Sequence, residues 1–120
     1  MIENAPNTNT DGDPSKLYEN PKYYEIAFSF RDIAAEVDLF QACFKRFSHI
    51  PVISVLELGC GNCPHMEELI KRGHQYSGLD ISRAMLEYSA KKAKRMGAEV
   101  DLIYADMNDF SPNKEVDFVY

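Results

Sequence analysis

One stretch constrains the fold of this chain more than any other. An apolar run over residues 52–58 ends in Gly59-Cys60-Gly61-Asn62. A short run without polar alternation, bounded by Pro51 and by glycine, predicts a strand buried on both faces. Two glycines one residue apart let the backbone turn sharply and approach a ligand closely. Pro64 fits the first turn of a helix, where its missing N–H costs nothing, and that helix runs to about Arg72 and stops at Gly73. A second strand over 75–79 ends at Asp80. Ser82 is a good N-cap for a helix over 83–96, Gly97 is its natural stop, and Lys91, Lys92, Lys94 and Arg95 favour its C-terminal dipole. A third strand over 100–105 ends at Asp106, a loop covers 107–115, and residues 116–120 start a fourth strand. Strands alternating with helices of this length predict an α/β fold with a parallel sheet and right-handed crossovers.

Upstream, residues 1–16 are rich in Asn, Thr, Asp, Gly and Pro and predict a disordered arm. Residues 17–50 read as a helical segment. Pro21 opens it, Pro51 ends it, and there is room for a break near Ser29 and Phe30. Tyr24, Phe28, Ile33, Val37, Phe40, Phe44 and Phe47 recur mostly at three- and four-residue steps, which is one helix face. The expected organisation is therefore an arm over 1–16, a helical segment over 17–50 and one α/β unit over 51–120.

At 120 residues the chain is one domain at most, and 45% hydrophobic residues can fill a core. A net charge of −6 argues against a nucleic-acid backbone as partner. No window approaches 18 uninterrupted apolar residues, so no membrane span is expected. The polar, acidic N-terminus lacks the basic and apolar regions of a secretory signal. With three cysteines, an odd number, the expectation is a cytoplasmic protein with reduced thiols.

The glycine turn carries the strongest functional signal. The ordinary dinucleotide fingerprint needs a third glycine where this chain has Pro64, which weakens a pyrophosphate-cradling reading. Glu57, before the first glycine, points to another use of the same turn. Asp80 lies 21 residues after Gly59, a spacing at which a strand-end carboxylate can accept hydrogen bonds from ribose hydroxyls. Ile81 can pack on an adenine face. Asp106 can accept from an adenine amino group while the Met107 backbone N–H faces a ring nitrogen. Glu57, Asp80 and Asp106 all fall at strand carboxyl ends, the ligand-binding edge of an open α/β sheet.

Other readings stand beside this one. Cys60-Gly61-Asn62-Cys63 is also the C-x-x-C of a thioredoxin-type redox pair, and His65 makes a metal conceivable, although no second C-x-x-C completes four ligands. The plainer reading makes Cys60 and Cys63 small loop residues beside a ligand and Cys43 a packing residue. His49, His65 and His74 read as surface or cap residues, with His65 nearest the loop. Asp80 can serve as a simple helix cap, though Ser82 fills that role better. The cluster from Lys91 to Arg95 reads as a solvated helix end.

In order and spacing, VLELGCGNC, GLDISRAMLEYSAKKA, YADMNDF and VDFVY resemble the successive motifs of class I S-adenosylmethionine-dependent methyltransferases. The resemblance covers roughly 52–120. YYEIAFSFRDIAAEV resembles the N-terminal helix of small-molecule methyltransferases, and its Arg-Asp-x-x-Ala-Glu stretch resembles the amino-sugar N-methylating branch. The resemblance implies a Rossmann-like methyltransferase fold, S-adenosylmethionine as cofactor and a small-molecule methyl acceptor. It places Glu57, Gly59, Cys60 and Gly61 along the methionine and ribose part, Asp80 on the ribose hydroxyls, Ile81 on the adenine, and Asp106 and Met107 at its edge. Tyr24 and Arg31 would close over the methionine end or touch the acceptor.

The family's domain usually has seven strands, and this sequence reaches only the fourth. The expectation is thus the N-terminal part of a longer domain, with the acceptor site in the missing C-terminal half. The alternative is a non-catalytic fragment that binds a cofactor or partner.

Overall fold

β1 (Ser54–Leu58) pairs in parallel with β2 (Gln75–Asp80) on one side and with β4 (Phe118–Val119) on the other. β3 (Asp101–Tyr104) pairs in parallel with β2. The order β3-β2-β1-β4 is the expected parallel sheet. The chain steps outward from β1 to β3, then returns to the far side of β1 for β4. That reversal puts a topological switch at the carboxyl end of β1, where open α/β sheets take ligands. The structure, a computed structural model, describes residues 15–120. The arm expected over 1–16 lies outside the described residues, apart from its last two, which begin α1 (Ser15–Tyr18).

The helical segment is broken where room for a break was expected. α2 (Pro21–Ala27) ends before Ser29, and α3 (Ile33–Phe47) starts afresh. Asp32 caps α3, its Oδ1 accepting the Ala35 N–H at 3.0 Å. Of the expected apolar face, Val37 is fully buried, and Ile33, Phe40 and Phe44 pack partly buried against the core. Phe47 is exposed, so the packed stripe ends a turn before the helix does. Phe44 meets Phe118 edge-on at 4.7 Å, and Phe40 lies 4.7 Å from the Tyr120 ring. These rings pin α3 over the β1–β4 pair.

β1 begins at Ser54, two residues later than the apolar run predicts. The Ile53 and Ser54 N–H groups donate to Asp117 Oδ2 at 2.9 and 2.8 Å, so a side chain from the β4 approach takes the place of a ladder partner. α4 (Met66–Lys71) also starts two residues late. The Met66 N–H turns back to the Cys63 carbonyl at 3.3 Å, and the first full helical bond runs from the Leu69 N–H to the His65 carbonyl at 2.9 Å, so Pro64 and His65 form a turn ahead of the helix. α5 (Arg83–Met96) has its expected bounds, with Ser82 Oγ accepting the Met85 N–H and Gly97 in the left-handed conformation.

One face of the sheet carries the main apolar cluster, in which Val55 and Tyr76 meet Val37, Met66, Leu69, Leu86 and Ala93 from the helices. Gly78 sits in this layer. A Cβ there would lie 2.8 Å from Cys60 Sγ and 3.1 Å from Cys60 Cβ. Gly78→Ala should therefore cost about 1–3 kcal/mol by overpacking, read as a lower urea midpoint. Among the described residues no helix is long and apolar enough to cross a membrane.

Candidate functional site

The glycine turn and the acid at the end of β2 are joined directly. Gly61 N–H donates to Asp80 Oδ2 at 2.7 Å, and Ser82 N–H donates to Asp80 Oδ1 at 2.7 Å. One carboxylate thus fixes the turn after β1 to the turn after β2. Each of its oxygens keeps acceptor capacity for a further donor. Gly59 is at φ 63°, and a Cβ there would lie 3.2 Å from Met107 Cε. The Met107 side chain therefore lies across the turn. Ile81 is 66% exposed and Met107 53% exposed, leaving two large apolar side chains in solvent at the switch edge. Asp106 is exposed, and its Oδ1 accepts the Asn108 N–H at 2.8 Å and the Asn108 amide at 3.0 Å. The structure brings Gly59, Gly61, Asp80 and Met107 together, while Asp106 is occupied within its own turn.

The α1–α2 segment lies against the same edge. Ser82 Oγ donates to the Tyr18 carbonyl at 3.3 Å. Glu25 accepts from Tyr88 Oη and from Lys92 Nζ on α5. Tyr24 packs between Tyr18 and Phe28, with tilted rings at 5.7 and 4.6 Å. Burial raises its pKa first, then the charge of Tyr18; Arg31 acts in the opposite direction, and Asp80 and Glu57 raise it further. A cavity of about 290 Å³ opens beside this segment, lined by Tyr24, Phe28, Arg31, Asn62 and Pro64 among others.

Glu57 is buried behind the turn. Its Oε2 accepts from Tyr76 Oη at 2.5 Å and from Tyr120 Oη at 3.0 Å. Its Oε1 lies 3.6 Å from His65 Nδ1. Across the imidazole, His65 Nε2 is 2.6 Å from Glu36 Oε2, and Arg31 binds Glu36 through both Nε and Nη2. Arg31, Glu36, His65 and Glu57 therefore form a continuous chain of charges from the start of α3 to the end of β1. The Arg31 guanidinium, opposed by burial and helped by His65, holds the Glu36 carboxyl down at about 2, from 4.5. Burial works against charging His65, but the nearby Glu57 carboxylate and the hydrogen-bonded Glu36 carboxylate outweigh it, and its pKa rises from 6.5.

These shifts set a pH window for stability. Glu36, lowered in the fold, stabilises above about 4.5, and that contribution is lost as pH falls from there toward 2. His65, raised in the fold, stabilises fully below 6.5, and its contribution is lost as pH rises through the higher folded value. Both contributions are present together between about 4.5 and 6.5. His65→Gln should abolish the alkaline decline and leave the acid one, as read from urea midpoints across pH.

The comparisons decide the family. Residues 55–120, more than half of the chain, match the model of the family described as "Methyltransferase domain". The chain belongs to the methyltransferase-domain family. No curated protein matches this methyltransferase chain. Among solved structures it resembles DesVI of Streptomyces venezuelae, with 26% identity and a TM-score of 0.62 over 89% of this chain and 42% of that one. It resembles CalS10, a S-adenosylmethionine-bound amino pentose methyltransferase of Micromonospora echinaspora, with 25% identity and a TM-score of 0.66 over 82% and 40%. The sugar N-methyltransferase KedS8 of a Streptoalloteichus species gives 25% identity and a TM-score of 0.64 over 80% and 38%. The methyltransferase chain thus spans about 40% of the length of each of these three structures. Its fold is the corresponding part of the Rossmann-like methyltransferase fold.

Two histidines depart from the surface or cap role expected of them. His65 does stand at the start of α4, but its ring caps nothing there; it is 6% exposed and lies between two carboxylates. His74 has both ring nitrogens shut off from solvent without a partner, and its ring packs edge-on against Phe44 at 5.7 Å. Sequence reasoning also missed Glu36, Tyr76 and Tyr120. Period-two alternation from Val55 to Glu57, with Tyr76 and Tyr120 on neighbouring strands, was the available signal: Val55 pairs with both Tyr76 and Phe118, so Glu57 and Tyr120 share one sheet face. The three cysteines are free thiols, Cys60 and Cys63 buried and Cys43 half-buried. Among the described residues no cluster of His, Cys, Asp and Glu has the arrangement of a metal site.

Proposed function

We propose that this chain binds S-adenosylmethionine at the switch edge and, within the whole protein, serves methyl transfer to a small-molecule acceptor. The observation that carries this reading is the Asp80 carboxylate, which holds the Gly61 N–H while keeping acceptor capacity toward the exposed edge. The residues present fit the cofactor. Asp80 supplies charged acceptors for ribose hydroxyls, and Ile81 and Met107 supply exposed apolar surface for a flat base. Gly59 leaves the space a Cβ would take from Met107. Asp106 and the Met107 N–H read the base edge once the Asn108 contacts yield. Tyr24 and Arg31 close the methionine end, with Arg31 oriented by Glu36. Glu57 and Cys60 shape the turn from behind.

When bound, the cofactor supplies a methyl carbon activated by its sulfonium. The protein's part is to hold donor and acceptor in line at about 3–3.5 Å. No covalent bond to the protein is required. An acceptor of amino-sugar type is supported by the printed descriptions of CalS10 and KedS8 and by the Arg31-Asp32 stretch. The division into a helical segment over 17–50 and a cofactor-binding unit from 51 onward, and a cytoplasmic location with free thiols, belong to the same proposal.

The second reading is a module that binds the cofactor or a partner and transfers no methyl group. Titration with S-adenosylhomocysteine and, separately, with NADH tests the cofactor. Saturable binding of the first alone is expected. Binding of NADH alone would overturn the proposal. Methyl transfer to amino sugars by the binding-competent protein then separates the enzyme from the module.

A further inference from the structure

The methyltransferase reading leaves Cys60-Gly61-Asn62-Cys63 without a chemical role. The Cys63 N–H donates to the Cys60 carbonyl at 2.8 Å, closing a tight four-residue turn. Such a turn brings its end Cα atoms within about 7 Å, the range a disulfide spans. Both sulfurs lie 3.9 Å from one acceptor, the Gly61 carbonyl oxygen. Ser89 Oγ donates to the same oxygen at 3.1 Å. We infer that Cys60 and Cys63 form a reversible disulfide within the glycine turn, making the turn a redox-sensitive site.

With hydrogen peroxide as oxidant, one sulfur, for example that of Cys63, bonds to one peroxide oxygen and the O–O bond breaks. The other oxygen leaves as water with the thiol proton. The Cys60 sulfur then attacks the Cys63 sulfenic acid, the S–S bond forms, and the hydroxyl leaves as water with the Cys60 proton. Two thiols are oxidised and one peroxide is reduced to two waters. Both sulfurs are buried, so the reaction waits on opening of the turn.

The bond removes both thiol donors from the Gly61 carbonyl. Gly61 also holds Asp80, so the oxidised turn should bind cofactor about tenfold more weakly. This consequence rests on the cofactor reading; the disulfide itself does not.

The test treats the protein with hydrogen peroxide, then with dithiothreitol, and follows intact mass, thiols after denaturation and S-adenosylhomocysteine affinity. Loss of two hydrogens is expected, with a fall from three thiols to one and a peptide linking Cys60 to Cys63. Dithiothreitol should restore both thiols and affinity, and Cys43→Ser should leave the linkage unchanged. Oxygen addition without linkage, retention of all thiols, or a bridge to Cys43 would overturn the inference. Linkage with unchanged affinity would overturn the coupling to the site. A reduced protein that binds no S-adenosylhomocysteine would overturn the cofactor reading, and the mass would still decide the disulfide.

Discussion

Replacing Asp80 by alanine should weaken S-adenosylmethionine binding tenfold or more. The carboxylate offers two charged acceptors at the end of β2, and a hydrogen bond to a charged group is worth about 1.5–3 kcal/mol. Each 1.4 kcal/mol is roughly a factor of ten in affinity, so one lost bond already reaches that figure. The substitution also frees the Gly61 and Ser82 N–H groups, which Asp80 now holds at 2.7 Å each. The glycine turn then loses its tie to β2. Asp80→Asn keeps an oxygen acceptor without the charge and should fall between the two. Calorimetric titration of the three proteins checks this, and unchanged affinity in Asp80→Ala would remove Asp80 from the site.

Glu57→Ala should destabilise the fold more than Gly78→Ala or His65→Gln, by about 3–5 kcal/mol, the cost of breaking a buried charged pair from one side. Glu57 is 7% exposed, and its loss leaves Tyr76 Oη, 3% exposed as a residue, with no acceptor. Tyr120 Oη loses its 3.0 Å bond and His65 loses one of its two carboxylates. Burial and the Glu57 charge already raise the Tyr76 hydroxyl pKa, so it stays a neutral donor in need of a partner. Glu57→Gln retains an acceptor for both tyrosines and should cost much less. Urea unfolding of the two variants separates the loss of the acceptor from the loss of the charge.

The sequence made legible whatever is decided by local chemistry. The Ser82 cap and Gly97 stop bound α5 because both act within a single turn. The parallel sheet followed from the alternation of strands and helices. The start of β1 did not, because the competitor for the Ile53 and Ser54 N–H groups is Asp117, more than 60 residues away. α4 was placed two residues early because Pro64 suits a tight turn as well as a first helical turn, and the turn closed by Met66 N–H on the Cys63 carbonyl takes it. In the candidate site, Gly59, Gly61 and Asp80 were readable, since strand-end acids after a glycine turn have a fixed spacing. The line from Arg31 to Glu57 was not readable, since His65 finds Glu36 across 29 residues and Tyr120 across 55. Only the docking of α3 on β1 and β4 brings those groups together.

Whether the switch edge between Gly59, Asp80 and Met107 holds S-adenosylmethionine is tested most directly by a crystal structure of the protein with S-adenosylhomocysteine. The expected density places the ribose hydroxyls on the Asp80 carboxylate and the base between Ile81 and Met107. Density confined to the cavity between Tyr24 and Asn62, with the Asp80 edge bare, would contradict it.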